Sequence, residues 1–335
     1  MYLSDFDAKA HVKGLFDLLK ADTMASMPPN VDFNLRFIGE DSLRMAASIV
    51  PAAAGQWRFE VLITNRLLHL ITATFFALAR CIPSVVGIEL PKPEASGVPL
   101  PFIAGLETVE QKLNQIPNDI ELEGPRVQLF EDFLNEVWSV LLYHEFAHIT
   151  EGHLLFMTEN SALFKKDWAA YDPAYSRAME LEADYNAGYR IKNRVAINPA
   201  DWLCGISLGD NVARIDPLFT GLAVSVLFLV MRVHTGLGTE DYMPSEIRHY
   251  MLVIAILEHA PWSSQEERNA ATMKLMVDAP RLLDLILGIP QEDKDIYIAN
   301  MSFDDQDTWV AQVMDEYSAL NSAWKKYRFH NEPLL

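Results

Sequence analysis

The amino-acid sequence predicts an α+β fold that is predominantly helical, with a small N-terminal β-sheet packed on a long helix and a helical C-terminal lobe. Three observations predict it. Segments 32–38, 44–50 and 56–64 have the composition and alternation of strands. From residue 127 onward, apolar residues recur instead at helical spacing. Half of the 335 residues are hydrophobic, enough to bury a sizeable core.

An amphipathic helix over 8–19 opens the order of elements. Of the three strands, 56–64 alternates most cleanly and is rich in aromatic and β-branched residues, and a helix over 65–79 follows it. Prolines at 83, 91, 93, 99, 101, 117 and 125 make 83–125 a long irregular connection with a helical island at 105–116. A surface linker is the ordinary role of such a stretch, and a cover over a site is a functional one. Helices are then predicted over 127–157, 173–192, 217–234, 244–259, 264–276 and 305–326. The chain divides into an α+β part (1–125), a helical metal-binding part (126–260) and a helical C-terminal part (261–335).

Charge and cysteine usage narrow the function classes. With 27 basic and 46 acidic residues, a net charge of -19 repels phosphate backbones, so nucleic acid is not an expected partner. The longest uncharged apolar run, 218–231, is shorter than the ~20 residues that cross a bilayer, so no integral membrane segment is expected. The first twenty residues mix charges among apolar positions and do not read as a secretory signal. Cys81 and Cys204 match no metal or redox spacing and read as buried thiols, which points to the cytoplasm.

The chemistry is concentrated after residue 140. Phe133, Leu134, Val137, Val140 and Leu141 lead at helical spacing into Tyr143-His144-Glu145-Phe146-Ala147-His148. On a helix, His144 and His148 stand one above the other and can bind one ion, while Glu145 projects beside the pair as a base for metal-activated water. The three-position pattern recurs by chance on the order of a few per cent of the time, so its context carries the weight. His153 is not expected to be a ligand: nine residues after His144, it falls about 180° around an unbroken helix. It reads as a packing or hydrogen-bonding residue, with Gly152 supplying close packing or a bend.

A second segment runs from Ser176 to Ala187 on a helix begun by Asp172-Pro173. Glu180 and Asp184 share one face there. One carboxylate can complete a two-histidine, one-carboxylate zinc site, and the other can accept a hydrogen bond from a ligand histidine. As an isolated pair they would read as solvated surface acids.

Together the two segments resemble the glutamate-zincins, especially HtpX-like and CAAX-prenyl-protease-like peptidases and the phage-exclusion protease Lit. The shared features are H-E-x-x-H, Gly152-His153 after it, and Ser176, Arg177, Glu180, Ala183, Asp184 and Ala187 downstream. The resemblance implies a zincin-like fold with one zinc ion per chain, held by His144, His148 and Glu180, with Asp184 behind them. It implies an endopeptidase acting on a peptide or protein substrate, with Glu145 as base. A zinc-dependent amidase or deacylase would use the same ligands. The strand and helix over 59–71 resemble the family's edge strand and following helix, where an extended substrate would add. Arg248 or His249, after Met243-Pro244, is the counterpart of an oxyanion-stabilising residue. The membrane-spanning helices of several relatives have no counterpart here.

A rival reading pairs Glu145/His148 with Glu246/His249 as the two E-x-x-H halves of a di-iron carboxylate bundle, with Glu136, Glu180 and Glu182 as candidate bridges. It leaves His144 without a role.

Overall fold

The computed structural model describes residues 1–40, 42–81, 121–122, 124–197, 221, 223–225, 243, 245–260, 262, 264–273, 275 and 303–329. The expected connection over 83–120, most of the helix over 217–234 and the side chain of Glu246 lie outside the described residues. The described elements are α1 (Ala8–Met24), β1 (Val31–Ile38), β2 (Met45–Val50), β3 (Trp57–Thr64), α2 (Asn65–Cys81), α3 (Pro125–Thr150), α4 (His153–Glu159), α5 (Pro173–Ile197), α6 (Ser245–His259), α7 (Gln265–Met273) and α8 (Phe303–Leu320). They make a predominantly helical α+β structure around one three-stranded sheet. Among the described residues, no helix is long and apolar enough to cross a membrane.

The sheet order is β1-β3-β2, with β1 parallel and β2 antiparallel to β3. The segment expected to be the substrate-accepting edge is therefore the central strand. Phe59, Val61 and Ile63 are all fully buried on one face, and β1 and β2 pair with its two edges, which leaves neither open. The edge beside α3 is formed by β2.

Helix α3 starts at Gly124, whose φ of 51° suits the turn, with Pro125 in the first helical position. Leu129, Phe130, Phe133, Leu134, Val137, Trp138, Leu142 and Phe146 are buried around it. Such an all-round apolar surface belongs to a central helix. It packs against α1, α2, α5 and β2. Phe146 reaches the sheet side, where its ring lies 4.7 Å from Phe33 and 5.4 Å from Phe16.

The helix expected over 127–157 is two helices. Gly152 adopts φ 79°, in the left-handed region open to glycine, so α3 ends and α4 restarts in a new direction. A Cβ on Gly152 would come within 2.5 Å of the Tyr327 backbone. The same glycine thus bends the chain and admits the C-terminal segment. Gly188 has a different use: a Cβ there would meet the Leu252 carbonyl oxygen at 2.7 Å, so its absence lets α5 and α6 cross closely.

Candidate metal centre

One turn of α3 puts His144 and His148 on the same face, with their Nε2 atoms 3.1 Å apart. Helix α5 packs across α3 and brings Glu180 to this pair, with Oε2 3.4 Å from His144 Nε2 and Oε1 3.5 Å from His148 Nε2. These residues form, among the described residues, a group able to hold a metal ion.

Asp184 lies one turn beyond Glu180. Its Oδ1 is 2.9 Å from His144 Nδ1, which directs the opposite nitrogen toward the cluster. Arg248 on α6 donates to Asp184 through Nε at 2.7 Å and Nη2 at 2.8 Å, and Nη2 lies 3.0 Å from Glu180 Oε2. The guanidinium therefore lies against both carboxylates, with its Nη2 also 3.4 Å from His144 Nδ1. His249 is buried, and burial pushes its imidazole down to about 4, leaving it neutral at pH 7.

Charge is shared unevenly in this pocket. Burial disfavours the His144 cation, but Asp184 and Glu180 outweigh it and push the imidazole up to about 10. Burial likewise opposes ionisation of Glu180, yet Arg248 and the two histidines hold it well below the usual carboxylate range. Asp184 is lowered against its burial by Arg248 and His144.

Glu145 is held by a partner outside this group. Its Oε2 accepts a hydrogen bond of 2.5 Å from the Ala47 backbone N–H on edge strand β2. A backbone donor on a non-adjacent strand carries no side-chain signal, so nothing in the sequence marks Ala47. Glu182, nominated with Glu145 for the di-iron reading, is also turned to other partners.

His153 does not join the three-residue group, in keeping with the sequence, but it does not face away from it either. The bend at Gly152 returns its Nδ1 to within 2.9 Å of His148 Nδ1, correcting the 180° expectation for an unbroken helix. Its Nε2 lies 2.8 Å from Glu182 Oε2. Burial pushes His153 down, against the pull of Glu182. Glu182 also accepts from Trp324 Nε1 at 2.8 Å, Tyr317 OH at 2.9 Å and Arg328 Nη2. The sequence signal for this second cluster was slight: a glycine within a helical pattern, and an acid between apolar Leu181 and Ala183.

The Glu182 cluster makes stability depend on pH. Burial alone would raise its pKa, but His153, Arg328 and Trp324 lower it from 4.5 to about 2. A depressed acid contributes its full stability above the unfolded value, and loses it as pH falls from 4.5 toward 2. The amount at stake is about 3 kcal/mol. Denaturant titrations of wild type and Glu182→Gln are expected to differ most at pH 7 and to converge only as pH approaches 2. Equal differences at both pH values would refute the assignment.

No protein-family model, curated protein or solved structure matches the chain.

Proposed function

We propose that the protein is a single-zinc hydrolase that cleaves peptide bonds, with His144, His148 and Glu180 as ligands and Glu145 as general base. The observation that carries this reading is the spacing of the donors. Zinc bonds of about 2.1 Å at tetrahedral angles separate neighbouring donor atoms by roughly 3.4 Å. Here the two imidazole Nε2 atoms are 3.1 Å apart, and each lies close to that spacing from one oxygen of Glu180, His144 at 3.4 Å from Oε2 and His148 at 3.5 Å from Oε1. Two imidazoles and a carboxylate also suit zinc at a hydrolytic site.

A bound zinc ion would polarise the substrate carbonyl and acidify the attacking water. The chain supplies the remainder. Glu145, next to His144 on α3, takes the proton of that water and returns it to the leaving amine. Asp184, held by Arg248, keeps His144 oriented. The peptide assignment is supported by β2, an edge strand whose Ala47 reaches Glu145. An extended chain pairing with that edge would run beside the base.

Metal analysis after dialysis is the first test, with one zinc per chain as the expected result and two irons as the result that overturns the reading. His148→Ala and Glu180→Ala should each lose the zinc while remaining folded by circular dichroism. Incubation with a cell lysate, with and without chelator, should reveal new peptide termini only where zinc is present.

A further inference from the structure

The histidine pair joined to the C-terminal segment has a hydrogen-bond order that its atoms dictate. Glu182, as a carboxylate, only accepts, so the contact at 2.8 Å requires a hydrogen on His153 Nε2. A neutral His153 then has no hydrogen on Nδ1. The facing Nδ1 of His148, 2.9 Å away, must donate to it, which leaves the lone pair of His148 on Nε2. That atom is the one 3.1 Å from His144 Nε2 and 3.5 Å from Glu180. The opposite order would make His153 a buried cation and place the hydrogen of neutral His148 at the ligand position.

The far end of this chain is fully engaged. His153 and Glu182 are buried, and Glu182 receives Trp324, Tyr317 and Arg328 in addition to His153. A carboxylate has about four lone-pair sites, so four donors saturate it. Arg328 Nε also lies 3.1 Å from Glu151, the residue before the bend. The Phe329 N–H donates to the Thr150 carbonyl at 2.9 Å.

We propose that His153 and Glu182, braced by Tyr317, Trp324 and Arg328, are positioning residues that hold His148 in the one tautomer able to bind the metal. The C-terminal segment is thereby a working part of the centre. Asp184 performs this service for His144 directly, and Glu182 performs it for His148 through an intervening imidazole. The inference rests on the reading of His144, His148 and Glu180 as zinc ligands.

The test measures zinc affinity by chelator competition in full-length wild type, His153→Leu, His153→Asn and Tyr317→Phe, with the visible spectrum of the cobalt-loaded proteins as a second readout. His153→Leu should weaken zinc binding roughly 10- to 100-fold and alter the cobalt spectrum. The amide oxygen of His153→Asn can accept from His148 and should recover most of the affinity. Tyr317→Phe, which removes one donor to Glu182 without changing shape, should shift affinity in the same direction by less. Nitrogen NMR of the zinc-loaded wild type should find His148 protonated at Nδ1. If wild type binds zinc and these variants bind it equally well with an unchanged spectrum, the relay is overturned and the metal centre stands. If wild type binds no zinc, the metal reading itself fails and the relay with it. Should His153→Leu not fold, the affinity of Tyr317→Phe decides.

Discussion

Glu145→Gln should keep its zinc and lose hydrolysis by roughly 10²- to 10⁴-fold, the contribution of a positioned general base. The geometry separates the two properties. Glu145 is outside the ligand group, and its Oε2 is bonded to Ala47 instead. Glutamine has the same length and retains a carbonyl oxygen to accept the Ala47 N–H, so α3 and β2 should stay in register. It cannot take a proton from water. Turnover on a peptide substrate, measured with zinc content on the same sample, checks this: normal turnover would remove Glu145 from the mechanism, and lost zinc would make it a structural residue.

The second large effect is expected at Arg248. Arg248→Met leaves buried Asp184 and half-buried Glu180 without the guanidinium, with His144 as their remaining cationic neighbour, and removing one member of a buried pair costs on the order of 3–5 kcal/mol. A zinc ion would restore positive charge beside the same carboxylates. The variant should therefore be strongly destabilised in chelator and less so with saturating zinc. By linkage, its intrinsic zinc affinity should then rise above that of wild type by the factor that corresponds to the difference between the two costs. Denaturant unfolding of both proteins in both conditions measures the four stabilities. An equal cost with and without zinc would show that Arg248 supports the fold independently of the metal centre.

Much of the architecture was legible because it is local. Strands over 32–38, 44–50 and 56–64 and the helices beginning at 65 and 173 follow from alternation and helical periodicity, and the structure has them within a few residues. The convergence of His144, His148 and Glu180 was expected from a resemblance on two segments, and the described residues do bring them together. What escaped was set by partners distant in sequence. Phe59, Val61 and Ile63 mark an apolar strand face, but nothing in them says that β1 and β2 will take both edges. His153 was misplaced because one residue, Gly152, leaves right-handed helical space, and counting degrees fails at that point. In the sequence Glu182 reads only as a candidate bridge of a di-iron site, because three of its partners, Tyr317, Trp324 and Arg328, lie more than a hundred residues away.

The reach of Tyr317, Trp324 and Arg328 into Glu182 also sets an order of assembly during synthesis. His144, His148 and Glu180 leave the ribosome well over a hundred residues before these partners do. A nascent chain can present these three side chains early, but the contacts that would anchor the proposed relay to His148 have not yet been made. On the proposed relay, full metal retention would coincide with the arrival of residues 317–328, late in synthesis.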